Sequence, residues 1–228
     1  MEKKPTTSVI IPVFNGAAFI GEAIASILPQ LEPNDEIIVV DDASTDATAE
    51  LLAAFVPRIT VLRGPGEGPS AARNIGIAAA QGEFIAFLDH DDLWPPGRHH
   101  ALMEALNADP SADAAIGRTR LRMEPGAMPE GLYHRVEGHW AVFLFSYLYR
   151  RRLIEAVGLF DVSLRYGEDT DYYFRQVEAG MKPLYCDVDS IIYRRHAGNA
   201  TNTAPPHESV LLQVLARKLA RGRARQPS

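Results

Sequence analysis

The run Phe84-Ile85-Ala86-Phe87-Leu88-Asp89-His90-Asp91-Asp92-Leu93-Trp94 constrains this chain more than any other stretch. Its apolar start ends abruptly in three acids, Asp89, Asp91 and Asp92. Nothing polar interrupts Phe84 to Leu88, so the segment reads as a strand buried on both faces, as in a parallel sheet. The acids fall at its carboxyl end, where open α/β sheets face their ligand crevice. Carboxylates crowded there repel one another and invite a cation. A divalent metal with oxygen ligands is the natural candidate, and it would in turn hold a diphosphate. The competing reading is an acidic helix start with Asp92 as cap, since Pro95 and Pro96 follow and suit a first turn.

The flanking sequence alternates strand and helix. Residues 8–13, 36–40 and 59–62 predict short apolar strands. Ile20, Ala23, Ile24, Ile27 and Leu28 carry helical spacing within 17–28, which Pro29 and Pro33 close. A second helix is expected over 47–55, capped by Ser44 or Asp46, and a third from Ser70 to Ala80 after the Gly64-Pro65-Gly66-Glu67-Gly68-Pro69 loop. Such alternation with short connections means a mostly parallel sheet with helices on both faces. The second half predicts helices over 96–106, 149–157, 168–179 and 206–220, strands over 112–122 and 183–195, and a loop over 123–138. One α/β domain is expected. Its nucleotide-type half covers 5–110, a mixed acceptor-side region 111–205, and a helix with basic tail 206–228.

Composition narrows the class. A net charge of −6 argues against general nucleic-acid binding. The single cysteine, Cys186, rules out an intramolecular disulfide and fits a reducing compartment. Met1 to Pro5 lacks the apolar core of a signal peptide, and no apolar stretch is long enough to span a bilayer. A soluble, cytoplasmic chain is expected. Arg217, Lys218, Arg221, Arg223 and Arg225 make its end basic, which suits either contact with an anionic membrane or a solvated, disordered tail.

Two familiar phosphate-binding patterns fail. The glycines at 64, 66 and 68 lack the G-x-G-x-x-G spacing, because position 69 is proline, and no G-x-x-x-x-G-K-[ST] occurs. Five motifs then occur in order: Val9-Ile10-Ile11-Pro12-Val13-Phe14-Asn15, Val40-Asp41-Asp42-Ala43-Ser44-Thr45-Asp46, Ala71-Ala72-Arg73-Asn74-Ile75-Gly76, Leu88-Asp89-His90-Asp91-Asp92 and Gly167-Glu168-Asp169. Together they resemble a family 2 glycosyltransferase of the GT-A fold, over nearly the whole chain.

That resemblance implies a UDP-linked nucleotide-sugar donor, held by Pro12, Phe14, Asn15, Asp42, Arg73 and Asp89. Phe14 would stack on the base, Asp42 would accept from the uracil N–H, and Arg73 would lie near the diphosphate. Asp91 would bind Mn²⁺ or Mg²⁺, with Asp89 at the ribose or the metal and His196 completing the site. Asp169 would be the catalytic base of an inverting transfer to a glycan or lipid-linked acceptor. A base must reach the acceptor hydroxyl opposite the leaving group, and a helix N-terminus keeps a carboxylate ionised for that task. Core packing for Phe14, a surface ion pair for Arg73, a surface position for His196 and plain first-turn acids at Glu168, Asp169 and Asp171 are the structural alternatives. Trp94 reads as buried packing, and His99 and His100 as surface residues. A sugar nucleotidyltransferase and an inactive nucleotide-sugar-binding module are the rival functions.

Overall fold

Seven strands pair into one sheet in the computed structural model, which describes residues 6–127, 137–140, 143–202, 205 and 207–224. They are β1 (Thr7–Val13), β2 (Glu36–Asp41), β3 (Thr60–Arg63), β4 (Phe84–Phe87), β5 (Ala114–Met123), β6 (Tyr147–Arg150) and β7 (Pro183–Arg195). Their spatial order is β3-β2-β1-β4-β6-β5-β7, and β6 alone runs against its neighbours. Residues 1–5 and 128–136, the latter within the expected 123–138 loop, lie outside the described residues, as does Arg225.

β1 and β4 are buried along their whole length, which suits their apolar runs to the centre of the sheet. Side chains alternate between two cores. Val9, Ile11 and Val13 meet α1 (Ile20–Ile27), α2 (Thr48–Ala53) and α4 (Arg98–Ala108) on one face. Ile10 packs on the other face with α3 (Pro69–Ala79), α5 (Arg151–Val157) and α6 (Glu168–Glu178). Ile10, Ile11, Ile20, Ile24 and Ile27 are fully buried, each stabilising the fold by roughly 1.5–3 kcal/mol.

Three local expectations change. The segment expected as a helix over 149–157 divides into β6 and α5. Tyr147-Leu148-Tyr149 is drawn into the gap between β4 and β5, where its aromatic rings pack on the pleated surface. Ser70 does not cap α3, because Gly68 holds that position and Pro69 opens the helix. Asp92 does not cap α4, which begins only at Arg98 after Gly97 in a left-handed turn. Asp46, by contrast, does accept the amide of Thr48 at the start of α2.

The β5–β7 pair is irregular between Ile116 and Thr119. β7 then reaches back to β4's loop through a bridge between Leu93 and Ile192, which carries its carboxyl end towards the acids. The last helix, α7 (His207–Ala224), is not a solvated basic end. Arg221 pairs with Asp171 at 2.7 Å and Glu178 at 3.2 Å, Arg217 pairs with Asp161, and Lys218 Nζ sits 4.5 Å over the Phe174 ring. Carboxylates of α6 and its preceding loop thus pair with two of the basic side chains of α7. Among the described residues no helix is long and apolar enough to cross a membrane. His99 is likewise no surface residue: it is buried, its Nε2 3.2 Å from Asp35 Oδ2 and its ring stacked on buried Trp94.

Candidate active site

The carboxyl ends of β1, β2 and β4 form one rim. Pro12 is buried within β1 opposite Val40, and Phe14 emerges just beyond it with 55% of its surface exposed. A ring this exposed is not core packing. Asn15 ties this turn to the next: its Oδ1 accepts the Thr45 amide at 2.8 Å, while its own amide donates to Ser44 Oγ at 2.9 Å. Asp42 is buried, and the glycine-rich loop closes on it. Gly66 N–H donates to Oδ1 at 2.9 Å and Gly68 N–H to Oδ2 at 2.7 Å. A Cβ at Gly64 would stand 2.4 Å from Asp42 Oδ1, so only glycine allows this approach. Asp42 therefore shapes the loop, and any base contact would use its remaining lone pairs.

Arg73 joins two of the expected motifs. It lies buried in the first turns of α3, with Nη2 2.7 Å from Asp89 Oδ1 and Nη1 3.0 Å from Glu168 Oε1. Burial disfavours its charge, but Asp89 and Glu168 outweigh that and raise its pKa further. Glu168 is pushed upward by burial against the pull of Arg73. The fork thereby fastens the amino end of α6 to the acids after β4. Asp169 follows at the second position of α6, half-buried, with Oδ1 accepting the Thr170 amide at 2.7 Å.

Asp91 meets the end of β7. His196 Nε2 stands 3.0 Å from Asp91 Oδ2, and Asn199 Nδ2 donates to the same oxygen at 3.2 Å. Burial pushes the Asp91 carboxyl up, yet the His196 hydrogen bond and the neighbouring His90 hold it below the usual range. Arg194 secures the loop by donating to the Asp91 carbonyl through Nε and to Asp92 Oδ1 through its amide. Asp92 is fully buried beside Asp91 and Asp89, which with burial drive its pKa well up, and its Oδ2 has no partner.

The donor set suits a hard cation of few protein ligands. Among the described residues no three His, Cys, Asp or Glu side chains form a closed cage. Mg²⁺ and Mn²⁺ sites of this kind take one or two carboxylates and complete their shell with phosphate oxygens and water. An Asp91 kept ionised fits that role. His196 fits less directly. Its Nδ1 accepts the Gly198 amide at 3.1 Å, which assigns the proton to Nε2 and makes His196 the donor that orients Asp91. Ligation through Nε2 would require the other tautomer.

Sequence reasoning missed Asn199, Arg194 and the partnership of Glu168 with Arg73. Asn199 lies three residues past His196, a spacing legible only once β7 is known to end beside the acids.

This strand order, with acids at the carboxyl rim of a mostly parallel sheet, defines an α/β fold of the GT-A glycosyltransferase type. The chain belongs to glycosyltransferase family 2: the model described as Glycosyl transferase family 2 matches residues 8–162. It is 32% identical over 215 residues to an uncharacterised glycosyltransferase of Rickettsia prowazekii, covering 88% of this chain and 67% of that one. It is 31% identical over 192 residues to the succinoglycan biosynthesis protein ExoO of Rhizobium meliloti, covering 74% of this chain and 55% of ExoO. Residues 1–349 of S. aureus TarS, solved in complex with UDP-GlcNAc, share the fold with a TM-score of 0.74 at 22% identity, covering 92% of this chain and 65% of that TarS fragment. The chain thus spans 67% and 55% of the length of the two bacterial relatives and 65% of the TarS fragment.

Proposed function

We propose that this chain transfers a hexosyl or N-acetylhexosaminyl group, with inversion, from a UDP-sugar to a hydroxyl of a glycan or lipid-linked acceptor. The observation that carries this is the Asp89–Arg73–Glu168 bridge, which brings the amino end of α6 to the acids after β4. Phe14 receives the base, while Asp42 and Asn15 hold the two loops that frame it. Arg73 faces the diphosphate. Mn²⁺ or Mg²⁺ held by Asp91, with Asp89 beside it, would supply neutralisation of the charge on the departing diphosphate. Asp169 takes the acceptor proton as its oxygen attacks the anomeric carbon opposite the leaving group; the new C–O bond forms as the bond to the diphosphate breaks. UDP-GlcNAc in TarS supports a UDP-linked donor.

A thermal-shift panel of nucleotide sugars, with and without Mn²⁺, tests this. A UDP-sugar should raise Tm in the presence of the metal. Stabilisation by none of the panel would remove the donor assignment.

A further inference from the structure

The acceptor side carries an aromatic row that no step above uses. Tyr147, Ile116 and Tyr185 are paired side by side across β6, β5 and β7, at the level where β4 ends. Tyr147 is buried in the core on the α6 face of the sheet. On β7, Leu184 and Cys186 pack on the opposite core, so Tyr185 between them projects to the α6 face. It is 62% exposed nonetheless. Trp140 stands edge-on to it, ring centroids 6.0 Å apart at 85°, and is fixed there by Nε1 donating to the Cys186 carbonyl at 3.0 Å. From α6 comes Tyr173, whose phenol is raised in pKa by burial and by the nearby Tyr185. Tyr173 is four residues after Asp169 and so lies on the same helical face, one turn along. Asp169 therefore separates the donor acids, reached through Glu168, from this aromatic row.

We infer that Trp140, Tyr185 and Tyr173 form an acceptor subsite that stacks the pyranose rings of a neutral oligosaccharide and directs its terminal hydroxyl to Asp169. Two exposed rings set edge to face, Trp140 fixed by a backbone hydrogen bond, present flat apolar faces. That suits the C–H face of a pyranose, while the Tyr185 and Tyr173 hydroxyls meet its rim. Continuity with the catalytic end through α6 selects an acceptor rather than an unrelated ligand. The inference rests on Asp169 as the base.

Of the two tryptophans, Trp94 is 2% exposed and Trp140 41%, so iodide quenching of the full chain reports on Trp140. Chitotetraose, cellotetraose and maltotetraose are the probes, with binding of UDP and Mn²⁺ followed separately by calorimetry. At least one oligosaccharide should protect Trp140. Tyr185→Ala should weaken that protection about three- to tenfold, Tyr185→Phe should retain most of it, and both should bind UDP as the parent does. Protection by none of the three, or protection unchanged in Tyr185→Ala, would overturn the subsite. Failure of the parent to bind UDP would strike the donor assignment instead, because the quenching readout needs no donor.

Discussion

His196 Nε2 and Asp91 Oδ2 stand 3.0 Å apart across 105 residues of sequence, and Asn199 completes the contact by donating to the same carboxylate oxygen. Asn199 also accepts the His196 amide at 2.6 Å, so one buried side chain orients both partners. Outer-shell groups of this kind are worth roughly 10–100-fold in metal affinity. Asn199→Ala should therefore weaken Mn²⁺-dependent UDP binding by that order, and Asp91→Ala should abolish it. Calorimetry with UDP at saturating and zero Mn²⁺ measures both. An Asn199→Ala affinity equal to the parent's would detach Asn199 from the site.

Arg73 compensates two acids at once, and its removal leaves both without their cation. Breaking a buried pair on one side costs roughly 3–5 kcal/mol, so Arg73→Met should lower stability by that order in urea denaturation. The double variant Arg73→Met/Glu168→Gln should recover part of the loss, since one stranded charge is gone. Equal stability of the single and double variants would show that Glu168 is not compensated by Arg73.

Gly167 sets the pitch of α6. Its φ of +75° lies in the left-handed region, and a Cβ there would come within 2.6 Å of Val210 Cγ1 on α7. Gly167→Ala is expected to cost about 1–3 kcal/mol through strain and overpacking, and to lower turnover more than donor affinity because Asp169 moves with the helix. Adding Val210→Ala should relieve the steric share and restore some turnover. If the second substitution restores nothing, α7 does not brace the catalytic end.

At the amino ends of β1 and β2, Asp35 accepts from the Thr7 amide at 2.9 Å, the Glu32 amide at 3.0 Å and His99. Burial raises its pKa, but these bonds, His99 first, outweigh it and leave the carboxyl below its ordinary value of 3.8. The folded state then binds this proton more weakly than the unfolded chain does. Its contribution is present above about pH 4 and lost as pH falls through the depressed folded value. The stability gap between parent and Asp35→Asn should hold steady near pH 5 and close on acidification in urea titrations. A gap that widens towards pH 3 would reverse the sign.

The nucleotide-type half was legible because β1, β2 and β4 are largely apolar runs, β2 and β4 with acids at their carboxyl ends, and period and punctuation agree. Tyr149 and Arg150 were misread as the start of a helix, since their pattern suits one until β4 and β5 draw them into β6. Asp92 looked like a cap from its prolines, but burial under β7 claims it, a contact 102 residues distant in sequence. Arg217 and Arg221 looked solvated because their partners, Asp161, Asp171 and Glu178, are brought near only when α7 folds back on α6. His99 was hidden for the same reason, its partner Asp35 lying 64 residues away. Local chemistry was readable; pairing across the fold was not.

The most direct test is Asp169→Asn, measured for both turnover and UDP-sugar affinity in the same metal-supplemented assay. The amide keeps the shape of the side chain but cannot take the acceptor proton, so kcat should fall by roughly 10²–10⁴ with donor affinity unchanged. Full turnover in that variant would contradict Asp169 as the base, and with it the transfer chemistry assigned to this site.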